Sequence, residues 1–386
     1  MSSNFFNSFN EEEDFKYLIP KCEDAVKSGS LRETFFSEEE YDFLINHYMG
    51  EDRSELVYEL AELAYLRHPY STEMVVRYID VLIVHQLQDM AIAILEQKLS
   101  NEPNNADFNF LFGRALAKTG NHEKAKEYVI KASRLDGEDS VDMFITVGQD
   151  YLEDELFENA LFYLEFVIEK EPDNFEVLND IAYCYDRTER IDKSIDAYNK
   201  LLEIDPFNDY AWYNLGTTYS KKSDFTKAIE AFDFSLALNP NNSSAIYNKA
   251  IIYVNYGDFS KAVDLFEEFL TIEPDNVSVL VALADAYLTL GQLVPSAKNY
   301  KRALEIERNS VEANCGISYI LMFERDYFGA LVHLRRVIGK EELEYHFLID
   351  QLQQSYDETG ITEYLVYNLV ALYKSGAMDK FYSNLE

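Results

Sequence analysis

Residues 212–240 read WYNLGTTYSKKSDFTKAIEAFDFSLALNP and contain the pattern that decides the fold of this chain. The segment ends at Pro240, and further prolines stand at intervals of 34 residues on both sides of it, at Pro172, Pro206 and Pro274. The same interval separates Pro69 from Pro103. A period of this length is the signature of a solenoid built from stacked structural repeats.

Three further columns keep this register when the proline is counted as position 32 of each repeat. Position 8 holds a small residue in seven of nine repeats, position 20 holds alanine or serine in eight, and position 11 holds tyrosine or leucine in all nine. Small side chains let two helix backbones approach closely, while the large one fills the space beside them. The nine repeats begin at residues 38, 72, 106, 141, 175, 209, 243, 277 and 311.

The spacing of these columns predicts two helices in each repeat. Positions 4, 7, 8 and 11 lie on one face of a helix, and positions 20, 24 and 27 lie on one face of a second. Gly120, Gly257 and Gly291 stand near position 15 and predict a turn between the helices. Because proline cannot continue the hydrogen-bond ladder, position 32 ends the second helix. Each repeat is therefore an antiparallel pair that buries its apolar faces by stacking on its neighbours.

This pattern resembles the tetratricopeptide repeat, whose signature combines Trp, Leu-Gly, Tyr, Ala, Phe and Pro. The residues that match it are Trp212, Leu215, Gly216, Tyr219, Ala228, Phe232 and Pro240. The resemblance covers most of the chain and implies an all-α fold, a right-handed α-solenoid of about nine to ten antiparallel helix pairs. Such arrays serve many partners, so the resemblance is far more specific for fold than for function.

The ends of the chain depart from the repeat and set the predicted domain boundaries. We expect a disordered N-terminal tail over residues 1–14 and a capping helix region over residues 15–36. Nine repeats are assigned to residues 37–345, and a degenerate C-terminal helix pair and cap to residues 346–386. Ser37, followed three residues later by Glu40, predicts a capping box at the start of the first repeat.

The charge balance excludes several classes of partner. The chain has 70 acidic and 34 basic residues, which gives a formal charge of −36 at pH 7. This argues against nucleic acid, whose phosphates are neutralised by Lys and Arg, and against anionic lipid. Cys22, Cys184 and Cys315 are far apart and form no CxxC motif, which suits a reducing compartment. With no signal-peptide pattern and no apolar run of about 18 residues, we expect a cytoplasmic protein without membrane insertion.

No motif of a catalytic, cofactor-binding or metal site is present in the sequence. There is no P-loop, GxGxxG, HExxH or GxSxG, and the six histidines lack metal-ligand spacing. Cys184 and Cys315 fall within helix patterns and are expected to be packing residues. We therefore expect no enzymatic activity, no cofactor and no bound metal.

Positions 2, 5, 6, 9 and 13 of the first helix point away from the core positions and are candidates for partner binding. In the family that the sequence resembles, first helices line the concave side of the array. Tyrosine gives rigid contact area and asparagine can hydrogen-bond an extended backbone. A habit of the repeat consensus, which favours both residues beside the core, is the alternative explanation. The predicted partner-binding residues are Asn179, Tyr183, Arg187, Tyr210, Tyr213, Asn214, Lys221, Tyr247 and Asn248.

Two functions remain open at this point. The first is a scaffold or adaptor that binds a neutral or basic protein or peptide on the concave surface. The second is a regulatory or structural subunit that assembles a larger complex through its convex face or its ends. A chaperone-type carboxylate clamp is not expected, because family members with that clamp use lysine at position 5, where none of the nine repeats has one. The negative charge would also repel an acidic peptide tail.

Overall fold

The computed structural model describes residues 15–137, 140–338 and 348–377. Over these ranges it contains 21 helices and no strand, which confirms the predicted all-α fold. Residues 1–14, for which a disordered tail was predicted, lie outside the described ranges. The division of the chain into capping region, nine repeats and C-terminal pair remains a prediction.

The chain divides into two compact units, of which unit 1 spans Met1–Arg190. Its helices alternate as first and second members of pairs after a single N-terminal helix. They are α1 (Leu18–Ser28), α2 (Glu38–Gly50), α3 (Ser54–Arg67), α4 (Thr72–Val84), α5 (Gln88–Asn101), α6 (Ala106–Lys118), α7 (His122–Asp136), α8 (Ser140–Glu153), α9 (Phe157–Lys170) and α10 (Phe175–Arg187).

Unit 2 spans Ile191–Glu386 and begins with a second-type helix. Its helices continue the same alternation as far as α19, after which a further pair follows. They are α11 (Ile191–Ile204), α12 (Asp209–Lys221), α13 (Phe225–Leu238), α14 (Ser243–Asn255), α15 (Phe259–Ile272), α16 (Val277–Thr289), α17 (Leu293–Ile306), α18 (Val311–Phe323), α19 (Tyr327–Val337), α20 (Ile349–Thr359) and α21 (Thr362–Lys374).

The junction between successive pairs ends one helix and caps the next. In the stretch EPDN, Glu171 is the C-cap of α9, and the Asn174 side chain accepts a hydrogen bond from the backbone N–H of Val177 at 3.2 Å. Caps of this kind stabilise a helix by about 1 kcal/mol. Within the nine predicted repeats, every first helix whose preceding residue is described has one: Ser37, Ser71, Asn105, Asn174, Asn208, Asn242, Asn276 and Ser310.

The predicted capping box at the first repeat is confirmed. The Ser37 hydroxyl accepts from the backbone N–H of Glu40 at 3.3 Å, and the Glu40 carboxylate accepts from the backbone N–H of Ser37 at 2.8 Å. In the repeats with a described N-cap, the first helix therefore starts where a polar side chain satisfies one of its unpaired N–H groups.

The small-residue columns mark close contact between the two helices of a pair. A Cβ added at Gly216 would lie 2.7 Å from Cε1 of Phe232, and one added at Gly113 would lie 2.6 Å from Cγ2 of Val129. All nine residues at position 8 and all nine at position 20 are buried. The close approach predicted from these columns is confirmed.

The turn between the helices of a pair has one backbone conformation throughout. Each of the nine residues at position 15 has a positive φ, between 56° and 79°. For a residue other than glycine this left-handed conformation costs about 1–2 kcal/mol. Because six of the nine turns carry a side chain there, helix packing imposes the turn. The six are Asp52, Gln86, Glu155, Glu189, Ser223 and Arg325.

Candidate functional site

A cleft of about 340 Å³ opens on the first-helix face of unit 2. Its walls come from α12, α14 and the start of α16, with Phe269 of α15 and two residues of the junction between α15 and α16. Three of the predicted partner-binding residues, Tyr213, Tyr247 and Asn248, belong to it. The lining residues are Tyr213, Ser243, Ser244, Tyr247, Asn248, Phe269, Glu273, Asn276, Ser278 and Val279.

The repeat register brings the polar residues of the cleft together. Tyr213 and Tyr247 both occupy position 5, on consecutive first helices, and Asn248 follows at position 6. Asn248 donates from Nδ2 to the hydroxyl oxygen of Tyr213 at 3.3 Å. The Tyr247 ring lies 6.1 Å from that of Phe269, centroid to centroid, which places an apolar base beside the amide and hydroxyl groups.

The cleft is polar but almost uncharged. Glu273 is the single carboxylate among its lining residues, and the others offer hydroxyl, amide or apolar groups. Hydrogen bonds from Ser243 and from Asn276, whose Nδ2 lies 3.1 Å from Oε2 of Glu273, lower the pKa of that carboxyl group. Such a surface can bind a peptide backbone through its amides and hydroxyls, and it offers one anionic contact.

The remaining predicted residues of unit 2 lie outside the cleft lining. The Tyr210 side chain is 57% exposed, and its ring lies 6.5 Å from the Tyr213 ring, which extends the aromatic surface by one turn of α12. Asn214 is half-buried and Lys221 is exposed at the end of α12. The structure therefore brings four of the six predicted residues of this unit into one neighbourhood, and Asn214 and Lys221 do not line it.

The three predicted residues of unit 1 lie on α10, where two of them share an aromatic cluster. The Tyr183 ring meets the Phe157 ring edge to face at 5.7 Å, and the Arg187 guanidinium lies 5.2 Å from the Phe157 centroid. Asn179 is half-buried. Beside it, burial and the nearby charge of Glu176 raise the pKa of the Asp180 carboxyl to about 6.

Elsewhere in unit 1 the first-helix face is joined by ion pairs. The Arg114 side chain, 10% exposed, donates from Nε to Oδ2 of Asp150 at 2.8 Å and also pairs with Asp80. Arg77 pairs with Asp42 in the same way, between α4 and α2. Because these side chains bond one another across neighbouring first helices, that stretch offers few free amide or hydroxyl groups to an extended peptide backbone.

Sequence reasoning missed several residues of the unit 2 cleft. The residues that were not predicted are Ser243, Phe269, Glu273, Asn276, Ser278 and Val279. Ser278 occupies position 2, which is a candidate binding position, so extending the prediction by one repeat would have included it. Glu273 and Asn276 belong to a second EPDN stretch, residues 273–276, which the sequence indicates to be a connection between repeats.

The described residues contain no group of three or more metal-ligating side chains. All three cysteines are buried and free, and burial raises the thiol pKa of Cys184 and of Cys315 to about 12. A thiol with so high a pKa is a poor nucleophile and metal ligand. Within the same ranges, every helix falls short of the length and apolarity required to cross a membrane.

Comparison with known protein families identifies the repeat. Four sequence models, each described as a tetratricopeptide repeat, match residues 106–139, 151–215, 210–242 and 247–311. The chain is a tetratricopeptide repeat protein. This family supports a role as a protein-interaction scaffold in general terms, and its members are typically non-catalytic. No curated protein matches the chain significantly.

Several solved structures are similar to this fold. The C-terminal part of a TPR repeat-containing protein from Cytophaga hutchinsonii covers 63% of this chain and 99% of its own, at 15% identity and a TM-score of 0.52. PilF of Pseudomonas aeruginosa covers 57% and 97%, at 18% identity and a TM-score of 0.44. MamA of Desulfovibrio magneticus RS-1 covers 44% and 96%, at 18% identity and a TM-score of 0.42. At these identities the likeness concerns the fold alone.

Proposed function

We propose that the chain is a non-catalytic scaffold that binds an extended segment of another protein on the concave surface formed by its first helices. The observation that carries this proposal is the unit 2 cleft, where Tyr213, Tyr247 and Asn248 converge on an open, polar and nearly uncharged space. Amides and hydroxyls suit a peptide backbone, whose own N–H and C=O groups must be satisfied on binding.

The partner segment is neutral or basic in this proposal. Glu273 supplies the only carboxylate among the residues that line the cleft, and its lowered pKa keeps it ionised. The chain as a whole carries a formal charge of −36, so an acidic segment would be repelled during its approach.

A second candidate function is favoured by exposed apolar side chains on two second helices of unit 2. Val294 on α17 is 80% exposed, and Phe328 and Val332, one turn apart on α19, are 78% and 48% exposed. Exposed apolar groups at neighbouring helix positions mark interaction surfaces. Through these residues the chain would act as a structural subunit of a larger complex.

The two functions are separated by affinity purification from the native organism with quantitative mass spectrometry. We expect the double variant Tyr213→Ala, Tyr247→Ala to lose its specific partner, while Tyr70→Ala, a change at a tyrosine that is 97% exposed in unit 1, retains it. If the partner is instead retained by the cleft variant and lost with Phe328→Ser, Val332→Ser, the subunit function is correct. Melting curves of all variants establish that they fold.

A further inference from the structure

A second cleft lies in unit 1, between the turn of the first helix pair and the end of α4. Its volume is about 140 Å³. Pockets for drug-sized ligands occupy about 300–1,000 Å³, so this cleft suits a single side chain. Its lining residues are Met49, Asp52, Arg53, Ser54, Val57, Arg77, Asp80, Val81, Val84 and His85.

The cleft has an apolar wall that is open to solvent. Met49 is 47% exposed and Val84 is 62% exposed, whereas Val57 and Val81 are buried beneath them. Covering exposed apolar surface is favourable in proportion to the area that is removed from water. An occupant with an apolar stem of several methylene groups would therefore be stabilised along this wall.

The charge balance around the cleft is negative, although two arginines line it. Arg53 is paired with Glu23, and Arg77 is paired with Asp42, so both cations are already neutralised. Asp52 is exposed on the turn at the cleft.

The other carboxylate of the cleft, Asp80, is only partly neutralised. It shares the single positive charge of Arg114 with Asp150. Asp52 and Asp80 thus leave uncompensated negative charge beside the apolar wall.

We propose that this cleft binds a lysine or arginine side chain of a protein partner. The methylene stem of such a residue lies against Met49 and Val84, and its cationic head reaches Asp52 and Asp80. Lysine and arginine are the residues that combine an apolar stem with a charged head. This site is separate from the unit 2 cleft, and the proposal does not depend on the function proposed for that cleft.

The chain's own N-terminal segment is a poorer occupant on the same grounds. Its apolar residues Phe5, Phe6 and Phe9 are followed, after Asn10, by four acidic residues at 11–14. Placing these beside Asp52 and Asp80 would bring like charges together, which is unfavourable.

The test uses random dodecapeptides displayed on phage and selected on the full chain, with counter-selection on the variant Val84→Arg. That change places a cation at the cleft and covers part of its wall. Val366→Arg is the matched control, because Val366 is also an exposed valine on a helix, α21, but lies in unit 2. Selected peptides are synthesised with a fluorophore, and their affinity for each full-length chain is measured by fluorescence polarisation.

We expect the selected peptides to carry a lysine or arginine beside an apolar residue. Replacing that basic residue by norleucine, and separately introducing Val84→Arg, should each weaken binding by about tenfold, with no change for Val366→Arg. The proposal is overturned if counter-selection leaves no peptide or if the selected peptides lack a basic residue. It is also overturned if Phe5→Ser, Phe6→Ser, Phe9→Ser strengthens binding about tenfold, because the N-terminal segment would then be the occupant.

Discussion

Asn248 donates a hydrogen bond from its side-chain amide to the hydroxyl of Tyr213, 35 residues earlier in the chain and 3.3 Å away. The bond joins position 6 of one first helix to position 5 of the preceding one. Two side chains in the wall of the unit 2 cleft therefore hold each other in place before any partner is bound. Such preorganisation lowers the entropy lost on binding.

This bond predicts energetic coupling between the two residues. We expect Asn248→Ala and Tyr213→Phe each to destabilise the chain by about 1 kcal/mol, and the double variant to lose less than the sum, because both changes remove the same hydrogen bond. Urea denaturation followed by circular dichroism measures the cycle. Additive losses would show that the bond contributes nothing in solution.

Arg114 is predicted to be the most costly charged residue to replace in unit 1. Arg114→Met leaves Asp150, whose side chain is 13% exposed, and Asp80 without their shared counter-ion. Removing one partner of a buried ion pair typically costs about 3–5 kcal/mol. The matched control is Arg32→Met, since Arg32 pairs with Glu62 but is 66% exposed, and such pairs contribute about 1 kcal/mol or less. Equal shifts in the urea midpoint would contradict the prediction.

Gly216 is predicted to tolerate no side chain. Gly216→Ala places a methyl group 2.7 Å from Cε1 of Phe232, and overpacking of this kind costs about 1–3 kcal/mol. Gly50→Ala, at a helical glycine with no atom within 4 Å of the added carbon, should be neutral or stabilising. The melting temperatures of the two variants provide the comparison.

A rescue experiment separates overpacking at Gly216 from other effects of the change. Phe232→Leu removes the ring atoms that the new methyl group would meet. The double variant Gly216→Ala, Phe232→Leu should therefore lose less stability than the two single variants together. If no such recovery appears, steric contact with Phe232 is not the cause.

The raised pKa of Asp180 predicts that the effect of replacing this residue on stability depends on pH. Its pKa is raised to about 6 by burial, from an ordinary value of 3.8, so between these values the folded state binds more protons than the unfolded state. The carboxyl group therefore destabilises the fold increasingly as the pH rises from about 4 to 6. Removing this charge by Asp180→Asn should raise the free energy of unfolding by at most about 3 kcal/mol at pH 7. At pH 4 the removal of the charge should bring no gain.

The exposed junction residue Asp173 provides the control for the titration of Asp180. Asp173→Asn should change the free energy of unfolding by less than about 0.5 kcal/mol, because surface substitutions away from buried groups have small effects. Urea denaturation of the wild type and both variants at pH 4 and pH 7 gives the comparison. A gain for Asp180→Asn that does not depend on pH would rule out titration of this group as its cause.

The sequence predicted the fold well because the features that set it recur at a fixed interval. Glycine, alanine and serine at positions 8 and 20 can be aligned by eye, and the contact of Gly216 with Phe232 follows from their spacing. The left-handed turn was visible only at Gly120, Gly257 and Gly291. At Glu155 or Arg325 the same conformation is imposed by helix packing, and the residue type gives no indication of it.

The candidate site was only partly predictable, because its geometry depends on contacts between repeats. Position 5 located Tyr213 and Tyr247, but only the structure places Glu273 and Asn276 beside them. In unit 1, Arg114 at position 9 meets Asp150 at position 10 of the next repeat, the same offset of one position that joins Tyr213 to Asn248. A comparison of equivalent positions misses a pair that is shifted in this way.

The left-handed turns of this chain also provide attachment points for spectroscopic probes. The three native thiols are buried, so a cysteine introduced at an exposed turn residue such as Ser223 or Arg325 would react alone. Apart from the adjoining residues of the chain, no heavy atom stands within 4 Å of a Cβ built at Gly120, Gly257 or Gly291, which indicates that the tips of these turns have room for a label. The distance between two labelled turns would report the length and bending of the array in solution, with and without a partner.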